Sequence, residues 1–255
     1  MRKVIYTSIV GNYDTLPQPV VVDESFEYVC FSNDISQDKA GVWQVRPIPY
    51  SNSDKTRLSR YVKLQPHQVL QDYDISVWMD ANIRILDGEF YRIVNDRIDS
   101  GVLMAQVPHP HRDCVYEEIS ECYRDLRIGL CDALRQRRHL KKTGFPRHFG
   151  MMENNLILRR HNDPVVRRLS DEWWKEYLAY SIRDQLSLMP VCWRLGFRPE
   201  LLLGEGLNAR NVPYLEIIRH PGRSSVTNLK GIRRWPKKVQ WKYRALIAAI
   251  FFRND

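Results

Sequence analysis

The sequence predicts an α/β domain, a mixed and mostly parallel sheet flanked by helices. Two observations carry that prediction. Through the first half of the chain, short apolar runs alternate with stretches of helical periodicity, the pattern of layered α/β folds. With 255 residues, 44% of them hydrophobic and 27% charged, the chain can bury a substantial core as one domain. No internal repeat and no low-complexity linker divides it. One unit over 1–236 with a basic C-terminal tail over 237–255 is therefore expected rather than two separable domains.

Taken in order, the runs at 4–10, 28–31, 43–46, 75–79 and 102–106 read as strands. Between the third and fourth lies a helix over about 54–71, in which Leu58, Tyr61, Val62, Leu64 and Val69 return at helical spacing. Ser53 or Asp54 can cap its start. A second helix is expected over about 87–95. The second half reads as more helical. One or two helices span 114–140, interrupted near Gly129, and a turn-rich connection follows from Gly144 to Gly150. A strand at 155–159 comes next, then helices over 164–180 (with the pair Trp173–Trp174) and 183–193. A last strand is expected at 214–218.

Composition narrows the function classes. No run approaches the ~20 apolar residues of a membrane-spanning helix. The first ten residues read as a strand, too short an apolar stretch for a signal peptide. Five cysteines without a C-x-x-C pair fit a reduced, cytoplasmic protein. The formal net charge is +9, with basic residues concentrated at 135–142 and again from Lys230 to Arg253. Nucleic acid, an anionic membrane surface or phosphorylated ligands would each suit that bias. No nucleic-acid-binding module is recognisable, which ranks polynucleotides last.

The richest stretch is Ile75-Ser-Val-Trp-Met-Asp80-Ala-Asn82-Ile-Arg-Ile85. An apolar strand ends in a carboxylate, then a small residue, then an amide oxygen. At a period of two, Asp80 and Asn82 would face the same side and offer hard oxygen ligands to Mn²⁺ or Mg²⁺. The small Ala81 leaves room for a diphosphate sharing the metal. Glycosyltransferases of nucleotide-binding α/β type use Asp-x-Asp in this way, and here Asn replaces the second Asp.

Other segments are placed to join this site. Thr7, Asn12, Tyr13 and Asp14 sit where the first strand becomes a loop, at the edge of an open sheet where ligands gather. They can bind a base or ribose, although Gly11-Asn12 would also make a plain Asx turn. Arg60 and Lys63, three apart and so on one helix face, can neutralise a diphosphate. His109, in His109-Pro-His111-Arg-Asp113-Cys114, is expected to line a sugar or acceptor pocket. The competing and stronger reading of that loop is a helix cap by Asp113. Glu153, Asn154, Asn155, Asp184 and Gln185 are the candidates for positioning the sugar and the acceptor hydroxyl, with a helix-start role for Asp184 as the alternative. His220 can complete the metal shell as a nitrogen ligand, or serve structure alone.

The set Tyr6-Thr-Ser-Ile-Val-Gly-Asn-Tyr-Asp14, Ser59-Arg-Tyr-Val-Lys63, Val77-Trp-Met-Asp-Ala-Asn82, His109-Pro-His-Arg-Asp113, Glu153-Asn-Asn155 and Arg183-Asp-Gln-Leu186 resembles a known family. That family is the glycosyltransferase-like domain of plant mucilage and turgor-regulation proteins, with bacterial relatives among surface-polysaccharide genes. The resemblance covers roughly residues 4–220, with the motifs in the family's order. It implies a GT-A-type fold, a nucleotide-sugar donor and a divalent metal at Asp80 and Asn82. The expected partners of such a site are a UDP- or GDP-linked sugar and a glycan or lipid-linked acceptor. Asp184-Gln185 is also similar to the Asp-Gln pair of retaining GT-A enzymes. The expected function is therefore metal-dependent glycosyl transfer in surface-polysaccharide assembly. A non-catalytic nucleotide- or sugar-binding scaffold is the alternative, because Asn82 lowers the charge at the metal. A basic RNA- or membrane-binding protein ranks third.

The tail from Lys237 to Arg253 carries an apolar run of eight residues, Ala245 to Phe252, with basic residues before it and Trp241 and Tyr243 at its edge. Its composition fits an interfacial helix on an anionic leaflet, which would place the protein peripherally at the inner face of a membrane. A C-terminal helix docked on the core fits equally well.

Overall fold

The computed structural model describes residues 1–11, 15–180, 183–219 and 234–252, with backbone alone at 234–238 and 240. Asn12, Tyr13, Asp14 and His220 lie outside the described residues. Eight strands form one sheet: β1 (Lys3–Ser8), β2 (Phe26–Phe31), β3 (Lys39–Ala40), β4 (Trp43–Arg46), β5 (Ile75–Met79), β7 (Met104–Pro108), β8 (Met152–Arg159) and β9 (Glu200–Leu201). Their spatial order is β3-β4-β2-β1-β5-β8-β7-β9. β1 pairs in parallel with β2 and β5, β2 with β4, and β7 with β9, whereas β3 and β8 run against their neighbours. Most of the sheet thus runs one way, as expected. A separate antiparallel pair joins β6 (Ile83–Ile85) to β10 (Leu215–Ile217).

The helices are α1 (Lys55–Leu64), α2 (Pro66–Val69), α3 (Glu89–Asp99), α4 (Val115–Arg124), α5 (Leu130–Lys142), α6 (Pro164–Tyr180), α7 (Gln185–Leu195) and α8 (Arg234–Phe252). Asp54 caps α1 by accepting the Thr56 N–H at 2.8 Å. The single helix expected over 54–71 is instead two. Pro66 lacks an N–H and disfavours helical geometry at the preceding residue, and Gln65 accordingly leaves it (φ −118°, ψ 50°). α2 then restarts with Pro66 in its first turn.

Strand alternation divides the core in two. Val4, Tyr6, Trp78 and Ile157 pack on one face of the sheet with α1 and α4–α7, while Ile5, Val77, Met79 and Leu158 pack on the other with α3 and the β6–β10 pair. Because β2 and β5 flank β1 on opposite sides, the chain order reverses there. The carboxyl ends of β1 and β5 therefore open a crevice at the topological switch point.

α8 docks on the core. Arg244 Nη1 donates to the carbonyls of Tyr123 (2.7 Å) and Ile128 (3.1 Å), and Phe252 meets the Tyr123 ring edge-on. No helix among the described residues is long and apolar enough to cross a membrane.

Candidate active site

A cleft of about 820 Å³ lies at that crevice, a size suited to a small-molecule ligand. Ser8, Arg60, Lys63, Trp78, Asp80, Asn82, His109, Glu153, Asn154, Asn155, Asp184 and Gln185 all reach its wall. Eleven of the fifteen sequence-nominated residues are described, and all but one of those eleven converge here. The exception is Thr7. Its side chain is buried in the sheet with its hydroxyl unpaired, and the cleft is lined instead by Ser8, whose Oγ lies 2.6 Å from Ser59 Oγ. Alternation along β1 explains the exchange, since adjacent residues point to opposite faces.

Asp80 and Asn82 do not continue the strand. β5 ends at Met79, and residues 80–83 form a turn closed by the Ile83 N–H to Asp80 O bond of 2.9 Å. The expected period of two stops there, yet both side chains still face the cleft. Trp78, two residues earlier on β5, donates its indole N–H to Asp80 Oδ1 at 2.7 Å and fixes that carboxylate. Asn82 is held from behind, its side-chain Nδ2 donating to Ile218 O at 3.1 Å and its backbone carbonyl accepting from Ile218 N at 2.7 Å. Among the described residues, Asp80 Oδ2 and Asn82 Oδ1 keep no hydrogen-bond partner. Two hard oxygens aimed into one cleft fit Mg²⁺ or Mn²⁺.

Asp184 is the electrostatic centre of the site. The sequence placed it at a helix start, and it does precede α7, but its side chain caps nothing. It is buried (4% exposed) and reaches back to α1, where Oδ1 lies 3.1 Å from Arg60 Nε and Oδ2 lies 3.0 Å from Lys63 Nζ. Lys63, itself 1% exposed, also lies 3.2 Å from Asp80 Oδ1. One buried ammonium thus ties the carboxylate of the β5 turn to the carboxylate before α7. Burial alone would raise the Asp184 pKa. The charges of Arg60, then Lys63 and Arg183, outweigh burial and hold it far below the usual carboxylate range. Asp184 is therefore an anion at every physiological pH.

β8 supplies the next wall. Asn154 donates to Asp184 Oδ2 at 3.4 Å and accepts from Gln106 Nε2 at 2.9 Å. Asn155 presents a buried Oδ1 with no partner, a donor-seeking atom in the wall of a polar cleft. Glu153 pairs with Arg210, and Gln185 Nε2 donates to Met152 O at 3.4 Å.

His109 also lines the cleft. Its Nδ1 accepts backbone N–H groups from His111 and Arg112, so a neutral ring carries its proton on Nε2, 3.8 Å from Glu118. Burial lowers its pKa, against the opposing pull of Glu118, and favours the neutral form. The cap expected of Asp113 is absent. Cys114 precedes α4 with no side-chain cap, and Asp113 bonds His148 Nδ1 at 2.7 Å.

Sequence reasoning missed Trp78, Gln106 and Arg210 as site residues. Trp78 carried a signal, being two positions before Asp80 on one strand. Gln106 and Arg210 carried none, because their partners are distant in sequence. A second donor set, Cys114, Glu117 and His148, lies within 4.8 Å of one another, but none of the three lines the cleft.

The profile of the family described as TOD1/MUCI70, glycosyltransferase-like domain, matches residues 1–205. Solved structures with similar coordinates include mouse xyloside xylosyltransferase 1, at 9% identity and TM-score 0.43 over 78% of this chain and 84% of that one. The galactosyltransferase LgtC, determined with donor and acceptor sugar analogues, is 10% identical with TM-score 0.44 over 95% of each chain. The Streptococcus pneumoniae glycosyltransferase GlyE is 11% identical with TM-score 0.43 over 99% of this chain and 64% of that one. No curated protein sequence matches the chain.

Proposed function

Because the chain belongs to the TOD1/MUCI70 glycosyltransferase-like domain family, we propose that its cleft transfers a sugar from a UDP- or GDP-linked donor to a glycan or lipid-linked acceptor, with Mn²⁺ or Mg²⁺ as cofactor. The observation that carries this reading is the convergence of the Asp80–Asn82 turn, Asp184 and the Arg60/Lys63 pair at the carboxyl edge of the sheet. A bound divalent cation supplies positive charge against the leaving diphosphate. Asp80 and Asn82 would hold that cation, and Trp78 orients Asp80 for it. Lys63 and Arg60, anchored by Asp184, add fixed positive charge on the same side, preorganised rather than recruited during reaction. Asp184, Asn154, Asn155 and Gln185 offer acceptors and amides for sugar hydroxyls, and Glu153 would position the acceptor. Surface-polysaccharide assembly at the cytoplasmic side of a membrane is the setting that suits such a donor and acceptor, with 1–236 as the transferase unit and 237–255 as its tail.

One observation favours a non-catalytic scaffold instead. Lys63 already neutralises part of Asp80, and Asn82 brings no charge, so the cation site is less anionic than a paired-Asp site. A thermal-shift screen of nucleotide sugars with and without Mn²⁺ tests the proposal. A cognate donor at ~100 times its dissociation constant stabilises by about 2.7 kcal/mol. A Mn²⁺-dependent shift with one nucleotide family and accompanying nucleotide release supports transfer. A shift without release supports the scaffold, and no shift with any donor contradicts both.

A further inference from the structure

α8 has two faces of different character. Arg244, Ala248 and Phe252, spaced four apart, form the docked face: Arg244 binds two carbonyls and stacks on Tyr123 at 4.6 Å, Ala248 is buried, and Phe252 packs between Tyr123 and the Arg137 guanidinium. Val239, Tyr243, Leu246 and Ile250 follow the i, i+4, i+7, i+11 spacing of a single stripe on the opposite side. They are 49%, 65%, 60% and 63% exposed, so four large apolar side chains stand in a row with nothing over them among the described residues. The core does not need this stripe, because the helix is already anchored by its other face.

Charge says what covers it. Between Glu216 and Asp255 the sequence has no acidic residue and ten Lys or Arg. Lys242 is exposed at the edge of the stripe, and Tyr243 supplies the amphipathic ring that settles at a membrane–water boundary. An apolar stripe inside a wholly cationic segment complements an anionic lipid surface, which offers hydrocarbon below and phosphate above. A protein partner would have to present an apolar groove ringed only by acids.

We infer that α8 lies on an anionic bilayer through Val239, Tyr243, Leu246 and Ile250 while its opposite face stays docked on the domain. The docking site gives this placement a consequence. Arg244 grips the carbonyls of Tyr123 and Ile128, and the intervening residues Asp125 and Arg127 line the cleft. The turn after α4 therefore has α8 on one side and the cleft on the other. Membrane contact through the far face of α8 thus holds the cleft rim near the lipid surface, separated from it by that helix, about 10–12 Å across. Where the cleft is a glycosyltransferase site, as proposed above, its acceptor is one whose lipid end remains in the bilayer.

Co-sedimentation of the full chain with phosphatidylcholine vesicles, with or without roughly a third phosphatidylglycerol, tests the inference. The full chain is expected in the pellet with anionic vesicles, and back in the supernatant at ~1 M salt, where the screening length is about 3 Å. Leu246→Glu/Ile250→Glu changes only the exposed stripe. It should melt as the unsubstituted protein does and bind anionic vesicles at least about tenfold more weakly. Failure of the unsubstituted protein to pellet with anionic vesicles, or equal pelleting of the double variant, overturns the inference. Concentration-dependent self-association that the double variant abolishes, without vesicle binding, would give the stripe to a second copy and overturn it too. No nucleotide or sugar enters this assay, so its failure leaves the transferase reading standing, and an inactive cleft would leave the membrane result standing.

Discussion

Replacing Asp184 by Asn removes one negative charge at nearly constant shape. At an effective dielectric of ~20, each of its two contacts, 3.1 Å to Arg60 and 3.0 Å to Lys63, carries a gross attraction of about 5 kcal/mol before desolvation is counted. Lys63 keeps Asp80 as a partner, and the new amide still accepts hydrogen bonds, but Arg60 loses its carboxylate in a buried setting. Breaking a buried pair from one side costs about 3–5 kcal/mol, and the retained contacts favour the lower end. A loss of about 3 kcal/mol corresponds to a fall in Tm of ~6–12 °C for a chain of this size. The pH dependence is the sharper readout. The folded-state pKa of Asp184 lies below its unfolded value, so its stabilisation is fully present above the usual carboxylate range and is lost only as pH falls below it. Thermal melts from pH 7 to pH 2 should therefore run parallel above about pH 4 and, below it, fall more steeply in the unsubstituted protein than in Asp184→Asn. Turnover should fall far more than donor binding. A Tm within ~2 °C and an identical acid limb would refute the charge network as a stabilising element. Normal turnover per folded molecule would refute the acceptor-side role.

Trp78→Phe removes the indole donor to Asp80 while keeping an aromatic core side chain, and should weaken Mn²⁺ binding by roughly 10–100-fold, read by titration of free Mn²⁺. Unchanged affinity would show that the indole does not organise the site. Gly41 has φ +64°, and a Cβ there would sit 2.0 Å from Gln18 Oε1, the group that accepts the Val42 N–H. Gly41→Ala should cost about 1–2 kcal/mol or more in a chemical melt, and an unchanged midpoint would contradict the placement of Gln18. Cys131 is exposed while the other four cysteines are buried, and burial pushes the thiols of Cys30, Cys122 and Cys192 up to about 12. One fast equivalent of thiol labelling is therefore expected in the native protein, against five after denaturation.

Much of the fold was legible because local signals agreed. The strands at 43–46 and 75–79 and the helix at 164–180 have their expected bounds, where β-branched or aromatic runs and a helix-starting Pro164 leave little ambiguity. β3, β6 and β9 were missed because two or three residues are too few to show a period. Pro66 did announce the break between α1 and α2, but the apolar spacing through Val69 masked it. At the site, Arg60 and Lys63 could be chosen from their i,i+3 spacing. What the spacing could not show is that both point at Asp184, since that contact depends on how α1 and α7 approach across the sheet edge. The same holds for Glu153 with Arg210 and for Gln106 with Asn154. The tail was legible as amphipathic and basic. Which of its faces docks was decided by Arg244 and Phe252 finding Tyr123, a tertiary fact.

The cleft built on Asp80, Asn82 and Asp184 is proposed to carry out metal-dependent glycosyl transfer. The most direct measurement is release of UDP or GDP from a panel of nucleotide sugars, with Mn²⁺ and with chelator, for the unsubstituted protein and for Asp80→Ala. Asp80 lies in a turn with its side chain 36% exposed, so Asp80→Ala should fold normally by circular dichroism. The expected result is nucleotide release by the unsubstituted protein with one donor class, lost on chelation and lost in Asp80→Ala. Release that persists in a folded Asp80→Ala protein, or that ignores chelator, would contradict it.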